Sequence, residues 1–112
     1  MRLIRHPLVA RDVAELARHV LTVSGDKAAA LRRLDEIDAL LASILDAPDI
    51  GSRLDGPLEG WRVRHGGRGR ALSIIYRIEG DRLLVAMVAF AGQDWTKGAL
   101  DRSGFERASL GN

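Results

Sequence analysis

Apolar residues in the first part of the chain recur at helical spacing. Steps of three and four residues place them on one face of a helix that begins near Leu8. The apolar face carries Val9, Val13, Leu16 and Val20. The charged residues that lie largely off this face are Arg11, Asp12, Glu15 and Arg18. Residues 24–26 (SGD) break the pattern, and Asp26 is suited to cap a following helix because its carboxylate can accept hydrogen bonds from free backbone N–H groups.

A second helical pattern follows this break. Its apolar side carries Leu31, Leu34, Ile37, Leu41, Ile44 and Leu45. The charged residues that we expect to face water are Arg32, Arg33, Asp35 and Glu36. Pro48 ends the helix because it has no backbone N–H and clashes with the preceding turn. Two amphipathic helices joined by a short turn with a glycine predict a helical hairpin.

The rest of the chain has the patterns of strands. Residues 1–5 (MRLIR) are a candidate first strand, and residues 46–60 are a loop with two prolines and three glycines. Three further strands are predicted at 61–65, 71–78 and 83–90, the last of them apolar on both faces and therefore central. Gly80-Asp81 is a two-residue hairpin signal. The order predicts an α+β fold: a strand, a helical hairpin and a three-stranded antiparallel meander, forming a small sheet packed on two helices.

Composition narrows the classes of function. A chain of 112 residues with 46% hydrophobic residues predicts one globular domain. It has no cysteine, no apolar run long enough to span a bilayer and no secretory signal at its start, so we expect a cytoplasmic protein. The three histidines are dispersed and no phosphate- or dinucleotide-binding loop is present, so we expect neither a metal nor a cofactor.

Positive charge is concentrated in residues 60–78 (GWRVRHGGRGRALSIIYRI), which we call the basic hairpin. It carries five arginines and His65, and no acid interrupts it. The net charge of the chain is only +2, so the distribution is more informative than the total. One interpretation is a solvated outer face of an antiparallel sheet. The other is a surface that binds a polyanion or an acidic partner.

Several short motifs, taken in order, resemble the RelE/ParE superfamily of bacterial type II toxins. Residues 6–20 (HPLVARDVAELARHV) are similar to the opening helix of that family. The segment LLASILDAPDIGSRL, at 40–54, is similar to its leucine–proline–glycine–leucine segment. The basic hairpin and the strand after it are similar to its strand hairpin, with IIYRI as the best match. The resemblance covers residues 1–95, which we expect to form the toxin domain, and leaves 96–112 as a tail with a short helix and a disordered end.

The resemblance implies a toxin that is neutralised by a small, acidic and partly disordered antitoxin. RelE-like members cleave mRNA on the translating ribosome, and ParE-like members inhibit DNA gyrase by binding it. The ribonucleases resemble one another in an arginine three positions before the hairpin tyrosine, where this chain has Ser73, and in a second arginine where it has Ala91 or Gly92. The tyrosine or histidine that follows in those enzymes is also missing, since Gln93, Asp94 and Trp95 stand there. We therefore expect a ParE-like protein that is not an enzyme.

Two alternatives stay open. One is a RelE-like, ribosome-dependent endoribonuclease, for which RNA cleavage would need a group that moves protons and a cation that stabilises the phosphorane. The catalytic candidates would then be His65, Arg64 and Arg70. The other is a non-toxic relative that only binds an antitoxin. For contact with the target or the antitoxin the candidates are Arg62, Arg64, Arg68, Arg70, Arg77, Trp95 and Lys97.

Overall fold

The computed structural model describes residues 1–90 and 92–104. Its strands are β1 (Arg2–Arg5), β2 (Ser52–Arg53), β3 (Arg62–Gly66), β4 (Leu72–Glu79) and β5 (Arg82–Phe90). Its helices are α1 (Val9–Ser24), α2 (Lys27–Asp46) and α3 (Thr96–Arg102). The predicted α+β order is confirmed, and the short helix expected after residue 95 is α3. The disordered end expected for the tail falls on 105–112, outside the described residues, and the division at residue 95 stays a prediction.

The helical hairpin forms as its capping residues indicate. The Asp26 carboxylate accepts a hydrogen bond from the backbone N–H of Ala28 at 2.9 Å, and Gly25 ends α1 in the left-handed conformation at φ 65°. One detail of the prediction is wrong, because Leu31 is 53% exposed although its spacing places it among core residues. Leu31 lies in the first turns of α2, near the end of the hairpin where Leu21 and Val23 are also exposed.

The sheet contains five strands in the order β1-β5-β4-β3-β2. The predicted meander is its antiparallel centre, and Glu79 and Arg82 pair across the two-residue turn. β1 adds to β5 in parallel, which makes the sheet mixed. β2 lies inside the segment predicted as a loop, because a strand of two residues is too short to give a periodic signal.

Apolar residues cover both faces of the sheet. The face under α1 and α2 carries Leu72, Ile74 and Tyr76, which alternate along β4. The opposite face carries a second cluster that includes Trp61, Ile75 and Met87, with Ala99 of α3 packed on it. β5 contributes to both clusters, as expected for a central strand whose two faces are apolar.

A buried ion pair fixes α3 to the rest of the molecule. Asp12 and Arg102 make a bidentate contact, with Nη1–Oδ2 at 2.6 Å and Nη2–Oδ1 at 2.8 Å. Asp12 also accepts the backbone N–H of Val88, and Arg102 donates to the carbonyl oxygen of Ala86. The side chain of Asp12 is only 8% exposed, so its expected place off the buried face was wrong. These contacts satisfy backbone groups of β5 beyond the end of β1.

Candidate functional site

A small basic cavity, which we call the edge pocket, lies beside β3, on the side of that strand that faces residues 50–52. Its volume is about 170 Å³. Its lining residues are Ile50, Gly51, Ser52, Val63, Arg64, His65 and Arg70. The three catalytic candidates named from the sequence, Arg64, His65 and Arg70, are therefore brought together although they come from a strand and the following turn. Nothing in the sequence pattern indicated that residues 50–52 form the opposite wall.

Tyr76 holds the opposite wall in place. Its hydroxyl donates to the carbonyl oxygen of Pro48 at 2.6 Å and accepts from the N–H of Gly51 at 3.1 Å. A Cβ on Gly51 would lie 2.2 Å from that hydroxyl oxygen, so only glycine allows this approach. Burial raises the pKa of Tyr76, and the hydroxyl therefore stays protonated and able to donate. Tyr76 is itself a core residue, with 0% exposure.

Arg62 also holds this wall in place, through hydrogen bonds to its backbone. Its Nη1 donates to the carbonyl oxygens of Asp49 and Gly51, both at 3.0 Å, and its Nη2 lies 3.7 Å from the Asp49 carboxylate. The side chain is only 16% exposed. Arg62 is thus engaged within the fold, on the sheet face that also carries Tyr76, and is less available to a partner than the sequence alone indicated.

Arg64 lies two residues farther along the same face of β3, and it lacks such partners. Its Nη1 is buried, and no residue in the described ranges accepts a hydrogen bond from it. A buried guanidinium without compensation is unfavourable, since both its charge and its N–H groups lose water. Among the described residues, the only other buried side-chain atom without a hydrogen-bond partner is Glu79 Oε2, which lies 3.6 Å from Arg77, so Arg64 calls for an explanation.

The turn of the basic hairpin forms the end of the pocket. Glu36 of α2 accepts the backbone N–H of Arg68 at 3.3 Å and also pairs with Arg33. Arg33 and Glu36, predicted to face water, are thus only about a quarter exposed, because they tie the turn to the helix. Arg70 has φ 56°, and among the described residues it alone adopts a positive φ without being glycine. Such a conformation is unfavourable for a side chain like arginine.

His65 lies on the opposite face of β3 from Arg64. Its Nδ1 is 2.7 Å from the hydroxyl oxygen of Ser73, the residue at the position where the sequence comparison with RelE-like ribonucleases expects an arginine. The imidazole is exposed while Ser73 is buried. One ring nitrogen is therefore engaged with a neutral hydroxyl, which leaves Nε2 as the nitrogen available to a ligand.

The other predicted contact residues lie outside the edge pocket. Arg77 is 20% exposed and pairs with Glu79 at 3.6 Å. Trp95 packs partly against the second apolar cluster, while Lys97 is exposed on α3. Trp61 is core, with 3% exposure. Arg68 is exposed at the turn. Ala91, one of the two positions compared with the second arginine of the ribonucleases, lies outside the described residues.

Two other kinds of site are not observed. Within 1–90 and 92–104, no group of three or more histidine and acidic side chains is arranged to hold a metal ion. None of the helices described is long and apolar enough to cross a membrane.

Comparison with known proteins places the chain among toxins. The family model described as the ParE toxin of the type II toxin–antitoxin system, parDE, matches residues 3–95. A solved structure titled the chromosomal ParDE TA system from P. aeruginosa superposes with a TM-score of 0.63 and 17% sequence identity. That match covers 80% of this chain and 95% of the other, and at this identity it shows a shared fold. A search of curated proteins finds no match.

Proposed function

Because the chain belongs to the ParE toxin family of type II toxin–antitoxin systems, we propose that it arrests growth by binding DNA gyrase until a cognate antitoxin neutralises it. The family match over residues 3–95 carries this proposal, and it confirms the resemblance found in the sequence. The match extends from β1 through β5 to Trp95, so it includes the basic hairpin and the edge pocket. The parts of this statement that we propose are gyrase as the target and neutralisation by an antitoxin. We also propose that the chain acts in the cytoplasm.

The chemistry of the edge pocket favours binding over RNA cleavage. Attack by a 2′-hydroxyl group needs one residue to accept a proton and another to protonate the leaving oxygen. Among the described residues that line the pocket, His65 is the one side chain suited to proton transfer, and Ser73 occupies one of its ring nitrogens. Loss of one proton-transfer group costs on the order of 10²–10⁴-fold in rate. Arginines can hold an anion there without any such step.

An acidic antitoxin suits the charge that the fold leaves uncompensated. Arg64, Arg68 and Arg70 pair with none of the carboxylates in the described ranges, whereas Arg62 and Arg77 are paired internally. A partly disordered acidic segment that folds on this surface would bring the missing carboxylates. We therefore propose that the antitoxin covers the turn of the basic hairpin and the edge pocket.

Pulse labelling after induction in cells without the antitoxin tests the proposed target. Incorporation of thymidine should fall before incorporation of methionine, because gyrase inhibition blocks replication first. Purified chain should also inhibit supercoiling by purified gyrase. If methionine incorporation falls first and gyrase is unaffected, gyrase is not the target. If growth continues normally, the non-toxic, antitoxin-binding relative is the correct interpretation.

RNA cleavage on the ribosome is the second candidate, since the edge pocket brings Arg64, His65 and Arg70 together. Mapping the 5′ ends of transcripts after induction would then show cuts at codon spacing. His65→Gln should abolish them, because a glutamine side chain can hydrogen-bond but cannot transfer a proton. An absence of codon-spaced ends, together with growth arrest by wild-type chain, excludes this activity.

A further inference from the structure

We propose that the edge pocket binds the carboxylate of a glutamate or aspartate carried by an extended peptide, with Arg64 and Arg70 as its cationic contacts. This inference rests on the proposed function for its biological source, the antitoxin, but it concerns a site that can be measured on its own. Three separate features of the structure support it: an uncompensated charge, an unpaired strand edge and the size of the cavity.

The uncompensated charge indicates an anion. Arg64 lines the pocket while its Nη1 is buried and finds no acceptor in the described part of the chain. Arg70 stands at the end of the same cavity in a backbone conformation that glycine or asparagine would adopt more easily. A carboxylate between the two guanidinium groups would offset the charge and make charge-assisted hydrogen bonds.

The strand edge indicates a peptide. The N–H of Leu54 donates to the carbonyl oxygen of Trp61, so the backbone groups of odd-numbered residues in β3 face β2. β2 pairs only with Val63 and Arg62, and the chain before it turns away through Pro48–Ile50. The outward N–H and C=O of His65 therefore have no partner among the described backbone groups, and such an edge can pair with an added extended segment.

The size and surroundings of the pocket favour a peptide over RNA. A volume of about 170 Å³ accommodates one acidic side chain better than a nucleotide with its base and ribose. Ile50, which is 65% exposed, lies at the rim and offers an apolar contact to a neighbouring residue of a peptide. None of the described residues that line the pocket is a phenylalanine, tyrosine or tryptophan, so His65 is the one ring in that lining on which an RNA base could stack.

A titration followed by NMR tests the site with defined probes. The probes are the blocked pentapeptide Thr-Val-Glu-Val-Thr, its glutamine counterpart Thr-Val-Gln-Val-Thr, and a five-nucleotide oligouridylate. We expect the glutamate peptide to shift the side-chain Nε–H signals of Arg64 and Arg70 and the amide of His65. The glutamine peptide should bind about 10- to 100-fold more weakly, since a hydrogen bond to a charged group contributes about 1.5–3 kcal/mol.

Two variants and a control locate the effect. Arg64→Gln should remove the preference for glutamate over glutamine. Arg70→Asn should weaken it and is a second, safer variant, because Arg70 is exposed and asparagine tolerates a positive φ. Arg53→Gln is the control: it removes one exposed arginine from the same edge of the sheet, outside the lining of the pocket, and should leave the preference intact.

The outcomes separate this site from the proposed function. Equal binding of the two peptides, or preference retained in both variants, overturns the carboxylate site even if the wild-type chain arrests growth. Tighter binding of the oligouridylate, with displacement of the glutamate peptide from the same signals, overturns it in favour of an RNA phosphate site. A clear glutamate preference in a chain that neither arrests growth nor inhibits gyrase retains the site and removes the proposed toxicity.

Discussion

Arg102 of α3 and Arg64 of β3 are both partly buried, but their surroundings differ. Arg102 meets a carboxylate in two hydrogen bonds and gives a further one to the carbonyl oxygen of Ala86. Arg64 has a buried Nη1 with no acceptor in the described chain and faces a cavity instead. The first arginine completes the fold, whereas the second remains available to a ligand. The same residue type thus stabilises the fold in one region and, as we propose, binds a partner in another.

Breaking the Asp12–Arg102 pair should have the largest effect on stability. Asp12→Asn keeps the shape of the side chain but leaves a buried arginine uncompensated, and we expect the free energy of unfolding to fall by about 3–5 kcal/mol. Urea unfolding followed by circular dichroism measures it. Glu15→Gln is the control, because Glu15 pairs with Arg11 at the exposed surface and should cost less than about 1 kcal/mol. Similar losses for both variants would contradict the difference between the pairs.

Filling the space under Tyr76 should disturb the edge pocket while leaving the Asp12–Arg102 pair intact. In Gly51→Ala the new methyl group collides with the Tyr76 ring, and we expect a loss of about 1–3 kcal/mol. Gly104→Ala is the control, since no atom of residues 1–90 and 92–104 lies within 4 Å of the added carbon. Urea unfolding gives the loss, and the amide shift of His65 should report a changed pocket. Wild-type stability in Gly51→Ala would show that the wall moves freely.

Two methionine substitutions on one face of β3 compare a paired arginine with an unpaired one directly. Arg62→Met removes hydrogen bonds to two carbonyl oxygens and should lower the free energy of unfolding by about 1–3 kcal/mol. Arg64→Met removes an uncompensated charge and should leave stability within about 1 kcal/mol of wild type, or raise it. Urea unfolding of both variants measures these changes in the free energy of unfolding. A large loss for Arg64→Met would mean that its guanidinium already has a stabilising partner.

The smallest effect expected is a dependence on pH at His6. Burial lowers the pKa of His6, helped by the charge of Arg102, while Asp12 acts in the opposite direction. Because the unfolded chain, with a pKa near 6.5, then binds the proton more tightly, stability should decrease as the pH falls below that value. His6→Gln should reduce this decrease in urea unfolding at about pH 7.5 and pH 5.5. A steeper decrease in the variant would reverse the assigned sign.

Most of the secondary structure could be predicted from the sequence, because it depends on neighbours in the chain. The spacing of Val9, Val13 and Leu16 indicated α1, the capping residue Asp26 indicated the start of α2, and the Gly80-Asp81 signal indicated the turn between β4 and β5. β2 could not be predicted, because its two residues become a strand only by pairing with β3. Asp12 was misplaced for a similar reason: its partners, Val88 and Arg102, are more than 70 residues away in the chain.

The candidate site divides in the same way. By itself the sequence determined that the basic hairpin concentrates arginines and His65 near a glycine-rich turn, since composition and turn chemistry are local. Only the tertiary structure decided that Arg62 is used within the fold while Arg64 and Arg70 line a cavity. That difference arises because the Tyr76 hydroxyl donates to Pro48 and so holds the turn at residues 48–51 beside β3. In this position the carbonyl oxygen of Gly51 accepts a hydrogen bond from Arg62. The contact between Tyr76 and Pro48 joins residues that are far apart in the sequence, so the sequence alone does not distinguish Arg62 from Arg64.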